Sequence, residues 1–107
     1  MIDVVVVDDE PAGRRILREY CAAEEDVRVI GEFGDGAAAL AAIRQRRPQL
    51  VFLDVQMGPM SGIDVARALD ADGLPSIVFV TAYDRYAIEA FDLSAVDYLL
   101  KPFDQEP

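Results

Sequence analysis

The sequence predicts a doubly wound α/β fold, in which a parallel β-sheet carries helices on both faces. Runs of four to six Val, Ile, Leu, Phe or Tyr residues, typical of strands buried on both faces, alternate with helical segments at intervals of roughly 20–25 residues. Four of these runs also end in a reactive polar group, and sites in such sheets form at the carboxyl ends of strands. These groups are, in chain order, Asp8-Asp9, Asp54, Thr81 and Lys101.

Five strands and four helices are predicted along the chain. The strands run from Ile2 to Val7, Val27 to Phe33, Leu50 to Leu53, Ser76 to Val80 and Val96 to Leu100. The helices run from Pro11 onward, from Gly34-Asp35-Gly36 to about Arg47, from Ile63 to Leu69 and from Arg85 to Phe91. Asp9 is available to cap the first helix, whereas Glu10 and Pro11 suit its first turn.

The connections between the strands determine which of them are neighbours. Strand-helix-strand units within one sheet cross over with a right hand. The doubly wound order 2-1-3-4-5 places strands one and three side by side at the topological switch point. We therefore expect Asp8-Asp9 to lie next to Asp54.

Composition limits the classes of function that the chain can have. Its 107 residues predict one domain. Twenty acidic and ten basic residues give a net charge of -10, so we expect no direct nucleic-acid binding. The absence of histidine excludes imidazole-based catalysis and imidazole zinc sites, and the single cysteine, Cys21, is interpreted as a reduced core thiol. Without a segment like a signal peptide or a membrane span, we expect a cytoplasmic protein that does not contact a membrane.

The strand-end residues have the chemistry of a phosphoryl-transfer site. Neighbouring carboxylates about 4 Å apart repel each other by about 4 kcal/mol at an effective dielectric near 20, so a proton or a cation is expected among them. Mg²⁺ prefers oxygen ligands and commonly takes one or two carboxylates together with a phosphate. With the Thr81 hydroxyl and the Lys101 ammonium group nearby, Asp54 could act as the nucleophile that becomes an acyl phosphate.

Each of these residues alone has a simpler interpretation. Asp9 could be a helix cap, Thr81 a hydroxyl at a helix entry, and Lys101 a solvated surface lysine. Their joint presence at four strand ends favours the phosphoryl site.

The motifs around these residues resemble the receiver domain of two-component response regulators over the whole chain. In order, they are VVVVDDE, LVFLDVQM, MSG, FVTAYD and VDYLLKPF. The stretch AYDRYAIEAFDLSAVDYLLKPFD further resembles receivers that precede a LytTR-type DNA-binding domain. The resemblance implies a five-stranded, flavodoxin-like sheet of order 2-1-3-4-5, with residues 1–107 forming the receiver.

The resemblance assigns a role to each acidic residue of the site. Asp54 would be the phosphoacceptor. Asp9 and the backbone carbonyl of Gln56 would join it as Mg²⁺ ligands, with Asp8 acting directly or through water.

The resemblance also implies a switch at the ends of the last two strands. Thr81 and Lys101 would hold the phosphoryl oxygens, and a cis Lys101-Pro102 bond would direct the ammonium group into the site. Tyr98 would swing inward when Thr81 is drawn to the phosphate. A tyrosine packed at the edge of the core is the alternative for Tyr98.

Two features depart from the usual receiver pattern. Family members usually carry proline at the fourth position after the phosphoacceptor, but this chain has Gly58 there and Pro59 next. We expect this order to affect the rate of phosphorylation more than its occurrence. Asp104 could cap a fifth helix, yet the chain ends at Pro107. We therefore expect a truncated fifth helix, an absent output domain, and a homodimer in which another chain covers the uncovered sheet.

The function predicted from the sequence is that of a signalling receiver. It would take a phosphoryl group from a sensor histidine kinase onto Asp54 with Mg²⁺ and switch a transcription-regulating output domain. It would be a switch rather than an enzyme, with at most slow self-dephosphorylation. One alternative is an aspartate-based phosphohydrolase, although Gln56 occupies the position where such enzymes commonly place a second aspartate. Another is a phosphorylation-independent interaction module of the same fold.

Overall fold

Strands and helices alternate along the chain as the sequence predicts. The structure is a computed structural model that describes residues 1–70, 75–81 and 97–100, with the backbone alone described at 70, 81 and 97–100. In chain order, the elements of these ranges are β1 (Ile2–Val7), α1 (Pro11–Ala22), β2 (Val27–Phe33), α2 (Gly36–Arg46), β3 (Leu50–Asp54), α3 (Gly62–Asp70), β4 (Ser76–Thr81) and β5 (Asp97–Leu100).

The strands form one sheet in the order β2-β1-β3-β4-β5. Every neighbouring pair is parallel. Because β1 pairs with both β2 and β3, the chain leaves β1 in one direction and returns to its other side after α2. The predicted α/β class and parallel sheet are confirmed, and the switch point falls between β1 and β3.

The sheet separates two apolar cores. Successive side chains of a strand point to opposite faces. Val5 and Val7 of β1 therefore join the core beneath α2 and α3, whereas Val4 and Val6 join Leu17 and the other core residues beneath α1. All four valines are completely buried, which is why β1 reads as an unbroken apolar run.

The first two helices begin where the sequence predicts, at Pro11 and within Gly34-Asp35-Gly36. Asp35 caps α2, because its side chain accepts a hydrogen bond of 2.9 Å from the backbone N–H of Ala38. Asp9, which was available as a cap for α1, does not cap it. Glu10, rather than Asp9, is its N-cap residue, and it makes no side-chain capping bond.

The outer strand β2 contains an irregularity beside β1. Val4 pairs with Val29, but Val5 pairs with Gly31, so Ile30 is an extra residue in β2. Arg46, in the last turn of α2, donates a hydrogen bond of 2.8 Å from Nη1 to the carbonyl oxygen of Ile30. The same guanidinium lies 5.6 Å from the centre of the Phe33 ring.

Several predictions fall on residues outside the described ranges. These are the helix from Arg85 to Phe91, the position of Lys101 and the truncated fifth helix, together with the homodimer inferred from that truncation. Within the described ranges, none of the helices combines the length and the apolar character that a membrane span requires.

Candidate functional site

The predicted site residues converge at one edge of the sheet. Val7 of β1 pairs with Leu53 of β3. Asp8 directly follows Val7, and Asp54 directly follows Leu53, so the two aspartates come at the same level of neighbouring strands. Asp54 in turn pairs with Val80, the residue before Thr81. Because parallel strands all end at the same edge, this register brings Asp8, Asp54 and the backbone of Thr81 to one crevice.

Asp8 is held on several sides. It has no exposed surface. Its side-chain oxygen Oδ1 accepts a hydrogen bond of 2.9 Å from the backbone N–H of Glu10. Its own N–H donates to the carbonyl oxygen of Phe33 at 2.9 Å, and Nη1 of Arg14 donates to its carbonyl oxygen at 2.7 Å. Burying a carboxylate is costly unless polar partners surround it. The Glu10 N–H is one such partner of the carboxylate, whereas the bonds with Phe33 and Arg14 hold the main chain of Asp8.

The first turn of α1 packs directly against this carboxylate. A Cβ atom at Gly13 would lie 2.7 Å from Cγ of Asp8 and would collide with its Oδ2. Glycine at position 13 therefore makes room for the Asp8 side chain in the position where the structure places it.

Three consecutive acidic residues form a compact oxygen cluster. One carboxylate oxygen from each of Asp8, Asp9 and Glu10 lies within 4.8 Å of the other two, with Asp8 buried and the other two residues exposed. The sequence motifs predict Asp8 and Asp9 as metal ligands, whereas Glu10 was expected only in the first turn of α1. The signal for Glu10 was its position directly after two aspartates.

Asp54 is the second buried carboxylate of the crevice. Only 5% of its surface is exposed. Its Oδ1 accepts a hydrogen bond of 3.2 Å from the backbone N–H of Gln56, two residues further along, which fixes the rotation of the carboxylate. The Val55 N–H donates to the Val80 carbonyl oxygen at 3.3 Å, so the chain is still tied to β4 as it leaves β3.

The loop after Asp54 turns back onto the strand that it leaves. The N–H of Gly62 donates to the carbonyl oxygen of Val55 at 2.9 Å. A Cβ atom at Gly62 would collide with the Asp54 carbonyl oxygen and lie 2.9 Å from the carbonyl carbon. α3 therefore starts in direct contact with the main chain of the proposed phosphoacceptor.

Ser61 and Asp64 close this loop with a reciprocal cap. The Ser61 hydroxyl oxygen accepts from the Asp64 N–H at 3.1 Å, and an Asp64 carboxylate oxygen accepts from the Ser61 N–H at 3.1 Å. Gly58 and Pro59, which depart from the usual receiver pattern, are exposed at the tip of the loop. A Cβ atom at Gly58 would meet no atom within 4 Å.

The remaining predicted residues are placed only in part. Thr81 ends β4, and its backbone pairs with Leu100, the residue that precedes Lys101. Tyr98 lies in β5 opposite Phe79. The hydroxyl of Thr81, the Tyr98 side chain and all of Lys101 lie outside the described part of the structure, so their roles stay predictions. Gln56 is described, but the role of its carbonyl as a metal ligand also stays a prediction.

The oxygen atoms of this edge fit a hard divalent cation. Asp8, Asp9 and Glu10 offer carboxylates in one cluster. Asp54 adds a carboxylate from the neighbouring strand, because it follows Leu53, which pairs with Val7. Mg²⁺ and Ca²⁺ bind such oxygen donors, whereas zinc favours nitrogen and sulfur. This donor set is consistent with the predicted Mg²⁺ site.

A sequence profile described as the response regulator receiver domain matches residues 4–107 of the chain. The chain belongs to this family. It is therefore a receiver domain of a response regulator in two-component signalling, as the sequence motifs predicted. The structural relatives agree with the flavodoxin-like receiver fold.

The curated relatives of this receiver are longer proteins. It is 47% identical over 106 residues to an uncharacterized response regulatory protein of Shewanella oneidensis, covering 99% of this chain and 45% of that protein. It is 44% identical over 105 residues to the transcriptional regulatory protein BtsR of Escherichia coli, covering 98% of this chain and 44% of BtsR. The receiver thus spans less than half the length of these relatives.

A solved structure shows the same architecture. The response regulatory domain of protein mrkE from Klebsiella pneumoniae matches the receiver with a TM-score of 0.90 and 31% identity. The match covers 96% of this chain and 85% of that domain.

Proposed function

We propose that this receiver is a phosphorylation switch in which Asp54 accepts a phosphoryl group from a sensor histidine kinase. The observation that carries the proposal is the pair of buried carboxylates, Asp8 and Asp54, which follow paired residues of β1 and β3. Neither residue contributes to the apolar cores. Burying two carboxylates side by side is unfavourable unless a cation or a proton offsets their repulsion, so this arrangement favours chemistry over structural support.

The proposed reaction transfers one phosphoryl group. A carboxylate oxygen of Asp54 attacks the phosphorus of a phosphohistidine on the kinase, and the new O–P bond forms as the P–N bond breaks. The electron pair of the broken bond stays on the imidazole nitrogen, which takes up a proton from solvent. The Gln56 N–H holds the Asp54 carboxylate in one rotation for this attack.

The metal would be held by Asp8, Asp9, Asp54 and the backbone carbonyl of Gln56, with Glu10 beside them. When bound, Mg²⁺ neutralises negative charge on the carboxylates and the phosphoryl oxygens. Asp8 contributes a buried carboxylate whose orientation is already fixed by the Glu10 N–H. Asp9 and Glu10 are exposed, so they face the side from which a cation would enter.

The switch would act through the carboxyl ends of β4 and β5. In this proposal, β5 completes a five-stranded receiver sheet, and Thr81 and Lys101 bind the phosphoryl oxygens. Tyr98 then follows Thr81 inward. The register supports this assignment, because Thr81 and Leu100, the residue before Lys101, are paired.

The output would be control of transcription by a domain that lies elsewhere in the full-length protein. Two observations support this. Relatives of this receiver are named transcriptional regulatory proteins, and the receiver covers less than half of their length. The stretch from Ala82 to Asp104 resembles receivers followed by a LytTR-type DNA-binding domain, so we propose that type of output. A homodimer stays a prediction.

Intact-mass measurement after treatment with a small phosphodonor tests the proposal. The native chain is compared with and without Mg²⁺ and with Asp54→Asn. Asp26→Asn is the matched control, because it makes the same chemical change at an exposed residue before β2, at the opposite edge of the sheet. We expect one added phosphoryl group, dependent on Mg²⁺ and stable over the measurement, in the native chain and Asp26→Asn but not in Asp54→Asn.

Other outcomes would point to the other functions. Rapid turnover of the donor without accumulated phosphoprotein would favour a phosphohydrolase. No modification under any condition would favour an interaction module that works without phosphorylation. Equal modification of Asp54→Asn and the native chain would show that Asp54 is not the acceptor.

A further inference from the structure

Arg14 links the buried Asp8 to the first turn of α1. Its Nη1 donates a hydrogen bond of 2.7 Å to the carbonyl oxygen of Asp8. Its guanidinium also lies close to Gly34, in the loop between β2 and α2, since a Cβ atom there would come within 2.8 Å of Nη1. Arg14 therefore spans from α1 across the end of β1 to the neighbouring loop.

The position of Arg14 is electrostatically unfavourable for a cation site. A guanidinium carries a fixed positive charge at any relevant pH. It is bonded to the main chain of one proposed metal ligand, Asp8, and therefore repels a divalent cation at that site. If its charge were its only contribution, removing Arg14 would strengthen metal binding.

Its hydrogen bond has the opposite effect. The main chain of Asp8 is fixed by the bond from Arg14 on one side and by the bond from its own N–H to Phe33 on the other. The Asp8 side chain is in turn fixed by the Glu10 N–H. The chain turns between β1 and α1 at this point. The direction in which the Asp8 carboxylate points depends on the backbone conformation of Asp8, which the bonds with Arg14 and Phe33 hold.

We propose that Arg14 is a positioning residue for the metal site: it fixes the Asp8 main chain so that the carboxylates of Asp8, Asp9 and Glu10 stay clustered. This inference rests on the proposed metal-dependent function. Arg14 itself binds neither the metal nor the phosphoryl group. Its contribution to metal affinity through the hydrogen bond outweighs the repulsion from its charge.

Arg15 offers a matched control. It is the next residue of the same helix, carries the same charge and is exposed. Arg14→Met and Arg15→Met make the same chemical change, and methionine and arginine have similar helix propensity. The difference between the two variants therefore isolates the contact with Asp8. Arg14→Lys keeps both a donor and the charge.

The first measurement is the binding of Mn²⁺, which is detected as a loss of the free-ion signal in electron paramagnetic resonance. Mg²⁺ is then added as a competitor. We expect Arg14→Met to bind about tenfold more weakly than the native chain, as is common when a residue that orients a metal ligand is removed. Arg15→Met should bind as tightly as the native chain or slightly more tightly, because a repelling charge is lost. Arg14→Lys should recover most of the affinity.

The second measurement is amide hydrogen exchange without metal. In Arg14→Met, the Glu10 amide, which donates to Asp8 in the native chain, should exchange faster than in Arg15→Met, because the Asp8 main chain is no longer held by Arg14 and the loop opens more often. Thermal unfolding of each variant, compared with the native chain, shows whether the fold is retained.

The outcomes separate this inference from the proposed function. If the native chain binds no Mn²⁺, the metal-dependent function fails, while the exchange data still test whether Arg14 orders this loop. If the native chain binds Mn²⁺ and Arg14→Met binds as tightly as Arg15→Met, Arg14 is not a positioning residue. The inference would also be overturned if Arg14→Lys bound Mn²⁺ as weakly as Arg14→Met, because lysine keeps a donor and the charge and yet would not restore binding.

Discussion

The contact between α3 and the main chain of Asp54 gives a prediction whose magnitude can be worked out. In Gly62→Ala, the new methyl group would lie 2.9 Å from the carbonyl carbon of Asp54 and 3.1 Å from Cα of Val55, where ordinary contacts begin at 3.4 Å. It would be closer still to the Asp54 carbonyl oxygen. These are backbone atoms of the last residue of β3 and of the residue after it, so no change of side-chain rotamer relieves the collision.

Overpacking of this kind typically costs about 1–3 kcal/mol. Alanine is favoured over glycine inside a helix by up to about 1 kcal/mol, but Gly62 is the first residue of α3, where that gain is small. We therefore expect a net loss of about 2 kcal/mol in the free energy of unfolding. With an unfolding entropy of about 2.1 cal/mol/K per residue, this corresponds to a fall in Tm of about 9 °C.

Thermal unfolding followed by circular dichroism measures this change, with Gly58→Ala as the control. Gly58 lies in the same loop, but a methyl group there meets no atom within 4 Å. Gly58→Ala should therefore leave the stability unchanged or raise it by up to about 1 kcal/mol. A Tm for Gly62→Ala within about 2 °C of that for Gly58→Ala would refute the argument from close packing. Below its Tm, Gly62→Ala should also accept phosphate more slowly, because Asp54 has to move.

Three further predictions concern the cap, the thiol and the metal. Ser61→Ala removes one half of the reciprocal cap with Asp64 and should cost about 1 kcal/mol in urea unfolding, whereas an unchanged midpoint would mean that the cap adds nothing. Burial raises the pKa of the Cys21 thiol above 9.0, so its contribution to stability is complete below that pH and declines above it. The fall in unfolding free energy above pH 9.0 should therefore be shallower in Cys21→Ala, and equal slopes would contradict this. Mg²⁺ at tenfold its Kd should stabilise the native chain by about 1.4 kcal/mol, seen as a rise in Tm, and Asp8→Asn should lose this effect.

Most of the sheet could be predicted from the sequence because its strands are buried on both faces. The predicted bounds of β1 and β2 match the structure, and β3 and β4 each extend one residue further than predicted, to Asp54 and Thr81. The paired ends of β1 and β3 followed from the same reasoning, since a parallel sheet brings the carboxyl ends of its strands to one edge.

Some details of the site could not be predicted, because they depend on the exact geometry of the turn from β1 into α1. α1 begins at Pro11 as predicted, but its N-cap residue is Glu10, whose N–H bonds to the side chain of Asp8, rather than Asp9. No local pattern distinguishes these two acidic residues as caps. The bond from Arg14 to the Asp8 carbonyl likewise depends on how α1 packs against the end of β1.

The pairing between Arg46 and the extra residue of β2 has a consequence for how copies of this receiver can associate. An outer strand normally presents open N–H and C=O groups on which a strand of another molecule can grow. In β2, the extra residue Ile30 interrupts the regular spacing of these groups, and Arg46 occupies its carbonyl oxygen with a charged side chain. Extension of the sheet across β2 would require both features to be undone. The irregularity at Ile30 and its bond to Arg46 therefore disfavour strand-to-strand association at this part of β2.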